Sequence, residues 1–247
     1  MITSKQNSLI KEIRSLKDKK FRDSLNLFVI EGIKPVNEAV ELGVPLSLII
    51  CTERALSSIK PGSVRLETVS EEVLKSVSEE VTPQGALAVA IKPSQTVLPP
   101  KGDCLLLDGV SDPSNIGAII RTAAASGYNQ VYLTEDCADA YSQKAVRASM
   151  SGVLRVSVMR GSVSEILGAI DLPICVADMD GASVFEFVRD GAVCLVIGNE
   201  GHGVSLEVRN RATYTLKIPM ENGVESLNAA VSAGIFMYNL KGNAKKN

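Results

Sequence analysis

The chain has 247 residues, 45% hydrophobic and 22% charged, with a net charge of −2. That is ordinary globular composition, long enough for one large or two modest domains. No apolar run reaches about 18 residues, so no transmembrane helix is expected, and MITSKQNSLIKEIRSLKDKK lacks the apolar core of a secretory signal. The five cysteines (Cys51, Cys104, Cys137, Cys175, Cys194) are odd in number and widely spaced, without a CxxC pair. They read as buried free thiols of a cytoplasmic protein, and no metal site is expected.

Residues 1–22 hold seven basic side chains against two acidic ones, a net charge of +5 that leaves −7 on the rest. This stretch is either the solvated face of an amphipathic helix or a basic arm for phosphate. Leu9, Ile13 and Leu16 repeat at helical spacing. LFVIEG and LSLIICT read as short strands flanking the helix-like IKPVNEAVELG. SEEVLKSVS reads as a Ser-capped helix, and GALAVAIK as a buried strand. Together these make a small α/β domain over residues 1–92. KPSQTVLPPKGD follows with three prolines, an extended linker centred on residues 93–102.

From residue 103 to 247 strands and helices alternate. CLLLDGV, QVYLTED, LRVSVMR, PICVADM, VCLVIGN and YTLKIPM are strand candidates. Helices are expected around 115–126, 142–151, 162–170, 183–188 and 226–240, with the tail KGNAKKN frayed. Such alternation implies an α/β domain with a mostly parallel sheet covered on both faces.

Three segments of this second half share a design, an apolar strand running into a polar turn. In LDGVSDPSNIGAIIRTAAASG a helix starts at once and carries Asn115 and Arg121. A helix start at a strand's carboxyl end is where open α/β sheets bind ligands and anions. LVIGNEGHG has the spacing G-x-x-G-x-G, the reverse of a dinucleotide fingerprint, and lacks the Lys-Ser/Thr ending of a phosphate loop. It is either a bare structural turn or a place of close backbone approach to a flat ligand, with Glu200 projecting from it. IPMENGVESLNAAVSAG places Ser226 and Asn228 at a helix start, as plain caps or as ligand groups. His202, the only histidine, reads as a loop residue between Gly201 and Gly203. Lys144 and Arg147 sit on a solvated helix or present cations beside the site.

The three motifs, in this order and about 80 and about 20 positions apart, resemble those of the SpoU/TrmH family of RNA ribose methyltransferases, within the SPOUT methyltransferases. Residues 5–92 are similar to that family's ribosomal-protein-like substrate-binding domain, most clearly at the Glu-Gly of FVIEG. The resemblance implies S-adenosylmethionine as methyl donor, a 2′-hydroxyl of structured RNA as acceptor, a deep trefoil knot and a homodimer. Ribosomal RNA is favoured over tRNA. It implies catalytic roles for Asn115, Arg121, Glu200, Ser226 and Asn228, and donor-binding roles for Gly198, Ile218 and Leu227. Arg121 is expected to clamp an RNA phosphate, because a guanidinium with a pKa above about 12 is a poor base. Glu200 is expected to orient Arg121 or Asn115. Lys17, Lys19, Lys20, Lys144 and Arg147 are the candidate RNA-binding cations. The competing readings are a catalytically silent RNA-binding protein and a nucleotide-binding oxidoreductase. The first is opposed by intact Asn115, Arg121 and Glu200, and the second by the missing G-x-G-x-x-G after an early strand.

Overall fold

The computed structural model describes residues 1–243. It forms two compact units: residues 1–93 with 141–154, and residues 94–140 with the chain from 155 onward.

The first unit contains α1 (Ser8–Ser15), α2 (Lys19–Leu25), β1 (Leu27–Glu31), α3 (Ile33–Glu41), β2 (Leu46–Cys51), α4 (Glu53–Leu56), β3 (Leu66–Thr68), α5 (Glu71–Val77) and β4 (Ala86–Ile91). The strands pair in the order β1-β4-β2-β3, with β4 antiparallel to both neighbours and β2 parallel to β3. Helix α1 buries Ile10, Ile13 and Leu16 against Val29, Leu48, Ile50 and Leu87, while Leu9 packs at the edge. Ser70 caps α5 as expected, accepting from Val73 N at 3.3 Å, with Glu71 and Glu72 in the first turn. The sequence reading did not anticipate α2, α4 or β3.

Part of the basic arm turns inward. Arg22 is only 3% exposed and donates to the carbonyls of Leu16 (2.7 Å) and Lys17 (2.8 Å), closing the end of α1. Arg14 donates to Ser76 Oγ at 2.9 Å and Lys17 to the Ser78 carbonyl at 2.9 Å, both tying α1 to the end of α5.

Residues 141–154 contribute α7 (Gln143–Ala148), shorter than the expected 142–151. Tyr141 packs on Phe28 of β1 with ring centroids 5.0 Å apart, and Lys92 Nζ lies 5.9 Å from the Tyr141 centroid.

The second unit holds β5 (Cys104–Asp108), α6 (Pro113–Ser126), β6 (Gln130–Thr134), β7 (Ser157–Gly161), α8 (Val163–Ala169), β8 (Ile174–Ser183), β9 (Cys194–Gly198), α9 (Leu206–Asn210), β10 (Tyr214–Lys217) and α10 (Ala229–Gly242). All six expected strands form, in one parallel sheet of order β10-β8-β9-β5-β6-β7. The central β5 is buried along its length, as near-continuous apolar runs require. The stretch 94–100, expected as a linker, is extended but docked. Tyr132 donates its hydroxyl to the Leu98 carbonyl at 2.8 Å, and Arg160 N donates to the Gln95 carbonyl at 2.9 Å.

Two expectations fail here. No helix forms at 183–188. Strand β8 instead runs to Ser183, because Ala182 and Ser183 pair with Leu216 and Lys217, and a turn follows that buries Val184. The β8–β10 register jumps from Val176 to Ala182, so residues 177–181 bulge out of the ladder. Gly181 permits this, since a Cβ there would lie 2.5 Å from the Thr215 backbone. Helix α10 begins at Ala229, not 226, leaving Ser226 in the preceding loop. Of the tail, Lys241 is held by the Ser126 carbonyl at 2.7 Å and Asn243 caps α10; residues 244–247 lie outside the described residues.

The buried Arg189 and the partly buried Asp103 form a two-point ion pair, with Arg189 Nη2 to Asp103 Oδ2 at 2.7 Å. Arg189 Nε also donates to the Leu240 carbonyl at 2.7 Å, so the pair anchors the end of α10. Asp103→Ala strands a buried guanidinium and is expected to lower stability by about 3–5 kcal/mol. Asp103→Leu with Arg189→Met should recover most of that loss. Chemical denaturation of the three proteins checks both.

Candidate active site

The parallel register places Asp108, the last residue of β5, beside Gly198, the last of β9. The turns after both strands therefore leave the same edge of the sheet. Asn199 joins them: its Nδ2 donates to the Gly109 carbonyl at 2.7 Å, and its Oδ1 accepts from Gly201 N (2.8 Å) and His202 N (3.1 Å). Asn199 and Gly203 exchange backbone hydrogen bonds of 2.9 Å, closing the G-x-x-G-x-G turn. A Cβ on Gly198 would lie 2.3 Å from Gly203 C. Glycine is thus required by the turn's own backbone, the structural alternative of the two that the sequence leaves open.

Helix α6 starts with Asp112 as cap, accepting from Ser114 N at 2.9 Å, and with Pro113 in the first turn, where its missing N–H goes unnoticed. Asn115 follows. Its Nδ2 donates to Glu200 Oε1 at 2.7 Å, and its Oδ1 accepts from Asn228 Nδ2 at 2.9 Å. Asn228 Oδ1 in turn caps α10, accepting from Ala230 N (2.9 Å) and Val231 N (3.3 Å). Each amide is oriented by its neighbours. A carboxylate only accepts, which turns the Asn115 N–H₂ toward Glu200, and the helix amides only donate, which turns the Asn228 N–H₂ toward Asn115.

The sequence-named residues divide clearly. Glu200, Asn115 and Asn228 meet in one chain of hydrogen bonds. Glu200, Ser226 and Asn228 line a cavity of about 770 Å³, together with Gly198, Ile218 and Leu227. Arg121 is exposed on α6, outside this cavity wall, and has no hydrogen bond or ion pair among the described residues; Glu200 holds Asn115 instead. His202 is an exposed loop residue whose backbone completes the turn. Lys17, Lys19, Lys20, Lys144 and Arg147 are all exposed and all belong to the first unit, with Lys19 paired to Asp23 at 3.1 Å. The five cysteines are buried and free. Burial pushes the Cys175 thiol up to about 12, which keeps it an inert thiol.

The sequence reading missed the cavity wall formed by Ala177, Asp178 and Met179. Asp178 is held by Arg209 of α9 at 2.6 Å. The strand PICVADM pointed to this edge, but the bulge that turns it toward the cavity depends on pairing with β10. Phe236 and Lys217 complete the wall.

The cavity suits S-adenosylmethionine. Ile197, Ile218, Leu227 and Phe236 offer an apolar surface for a base, and the Glu200 carboxylate on the same wall favours a cationic ligand, Asp178 being paired with Arg209. Among the described residues no group of three His, Cys, Asp or Glu side chains comes together to hold a metal.

Comparison with known proteins agrees with this geometry. Residues 104–238 match the model of the SpoU rRNA Methylase family, and residues 7–88 match an MRM3-like substrate binding domain. The chain is 31% identical over 246 residues to the 23S rRNA (guanosine(2553)-2′-O)-methyltransferase RlmP of Bacillus subtilis, covering 98% of this chain and 99% of that one. It is 31% identical over 232 residues to the 23S rRNA (uridine(2479)-2′-O)-methyltransferase of Streptomyces viridochromogenes, covering 85% and 81%. An AdoMet-bound rRNA methyltransferase from Sinorhizobium meliloti superposes with a TM-score of 0.86 at 27% identity, covering 96% of this chain and 95% of that one. The SpoU methyltransferase AviRb from Streptomyces viridochromogenes, in complex with AdoMet, gives 0.84 at 26% identity, covering 96% and 98%. With three motifs converging on one sheet edge, and a family model spanning more than half its length, the chain belongs to the SpoU rRNA methylase family.

Proposed function

We propose that this protein transfers the methyl group of S-adenosylmethionine to the 2′-hydroxyl of a ribose in ribosomal RNA. The observation that carries the reading is the Glu200–Asn115–Asn228 chain, which draws one residue from each motif to the rim of a cavity suited to the donor. The ribosomal substrate is favoured by the named activities of the relatives and by the family of the first domain.

When bound, the donor supplies a methyl group already activated on a sulfonium, so the protein's task is alignment and handling of one proton. Ile218 and Leu227 hold the donor, and the tight turn after Gly198 closes the cavity beside it. Asn115, with its amide fixed from both sides, and Ser226 hold the ribose by neutral hydrogen bonds. Arg121 has no partner among the described residues, so its guanidinium is available to grip the RNA phosphate next to the target ribose with two parallel hydrogen bonds. As the 2′-oxygen gains the methyl group it loses its proton, and a phosphate held by Arg121 would help to take it. Lys17, Lys19, Lys20 and Lys144, exposed on the first unit, draw in the RNA backbone.

The same reading includes a homodimer and a deep trefoil knot. Val231 and Tyr238, seven residues apart on α10, are 52% and 55% exposed and give one helix face an apolar surface for a second copy. The buried thiols suit a reducing cytoplasm.

Mapping of 2′-O-methyl groups in total RNA, with and without the protein, tests the reading: one ribosomal site should lose its methyl group. Loss confined to tRNA, or no loss, overturns it. Arg121→Lys keeps the charge but not the fork, and methyl transfer should fall about 10²-fold while donor affinity by calorimetry stays unchanged. Asn115→Asp sets a second carboxylate against Glu200, so one of the two must take a proton. Its transfer rate should fall about 10²-fold at pH 8 and recover in part as the pH is lowered toward about 5, measured with radiolabelled donor.

A further inference from the structure

A second cavity lies wholly within the first unit. Its volume is about 180 Å³, well below the roughly 300–1,000 Å³ of pockets that enclose drug-sized ligands, so it admits a single ring system rather than a whole nucleotide. One wall comes from β1 and α3, the other from α7 and the residues that follow it.

That second wall has unusual backbone. After Ser149 ends α7, Met150 (φ 46°) and Ser151 (φ 65°) both adopt the left-handed conformation, although the adjacent Gly152 would take it without strain. Side chains held this way persist where surrounding structure enforces them, often at binding sites. The result is that Met150 stands 57% exposed on the cavity wall, with Arg147 on the same wall. A thioether and a guanidinium are the groups that stack on aromatic faces.

The charges select the occupant. Glu31, Glu38 and Glu80 line the cavity against Lys34 and Arg147. Lys34 pairs with Glu38 at 3.9 Å, and Glu31 is engaged by the Ser78 hydroxyl and by Glu79 N at 3.3 Å. Three carboxylates against two cations make a poor seat for phosphate. They make a good seat for a flat, neutral group that donates hydrogen bonds. We infer that this cavity takes one unstacked, amino-bearing nucleobase of the RNA substrate, stacked against Arg147 and Met150, with its amino edge toward the Glu80 carboxylate. The inference rests on the RNA reading above and adds to it a base-reading site built from residues outside the three methyltransferase motifs. Sequence-specific RNA recognition commonly works on single unstacked bases held in this way.

The test is a titration of the full chain, labelled with ¹³C at its methionine methyls, with GMP, CMP, AMP, UMP and ribose 5-phosphate. Met150→Leu assigns the Met150 signal. The three amino-bearing nucleotides should shift that signal saturably and about tenfold more tightly than UMP, the discrimination expected of one good base-edge pair. Ribose 5-phosphate should leave it in place, and Arg147→Gln should abolish the response. Equal responses to UMP or ribose 5-phosphate, or none to any nucleotide at millimolar concentration, overturn the inference. Met179 and Met220, which line the larger cavity, report S-adenosylmethionine in the same spectra. Silence there overturns the donor site without touching the base site.

Discussion

The parallel pairing of β5 with β9 is the constraint on which the site depends. It runs from Cys104 opposite Cys194 to Asp108 opposite Gly198. Two strands some ninety positions apart in sequence therefore end at the same level. A parallel strand cannot be entered by a tight hairpin, so the chain must cross over and return to the same end each time. Every turn that follows a strand then collects on one edge; β5 and β9, behind the first two motifs, are apolar and buried, while the edge strand β10 delivers the third by its parallel pairing with β8. Binding lies on the link between topology and chemistry: the sheet supplies position, and the turns supply function.

The polarity of two amides does the finer work. Asn228 is at once the cap of α10 and the donor to Asn115. The start of a helix, a secondary-structure feature, thereby fixes the orientation of a side chain on another helix. Glu200 completes the sequence from the opposite side. The arrangement has one consistent set of donors and acceptors, so the rim of the cavity is ordered before any ligand arrives. Preorganisation of this kind is what alignment catalysis requires.

Much of this was legible in the residues. Strands β5, β6 and β9 are readable because buried parallel strands are almost unbroken apolar runs bounded by polar turns. Asn228 reads as a cap or as a site residue, and in the structure it caps α10 while lining the cavity. Residues 183–188, expected as a helix, hold Val184, Phe185, Phe187 and Val188, types that already favour strand over helix, and pairing of Ala182 and Ser183 with β10 keeps the strand going to Ser183. Asp178 and Met179 were missed because the bulge exists only where β8 and β10 meet. Arg14 and Arg22 were counted as part of a basic arm, yet charge alone does not reveal that their guanidinium groups satisfy carbonyls and a hydroxyl within the fold. The β8–β10 pairing and the Arg14–Ser76 contact join positions far apart in sequence, which local propensity cannot carry, while Arg22 folds back on Leu16 and Lys17 only because α2 reverses the chain after α1.

The placement of α7 has a consequence for how the protein is made. The first unit is discontinuous: Tyr141 must reach Phe28, more than a hundred positions earlier, before β1 acquires its covering helix. During synthesis the amino-terminal sheet can assemble early from β1 to β4, but its Phe28 and Ile30 side remains incomplete until residue 154 has emerged. By then β5 and β6 have been synthesised as well. The two units thus cannot mature strictly one after the other, and an apolar face stays uncovered while more than fifty further residues are added. Such delay favours aggregation and slows folding, because the closing contact is among the longest in the unit.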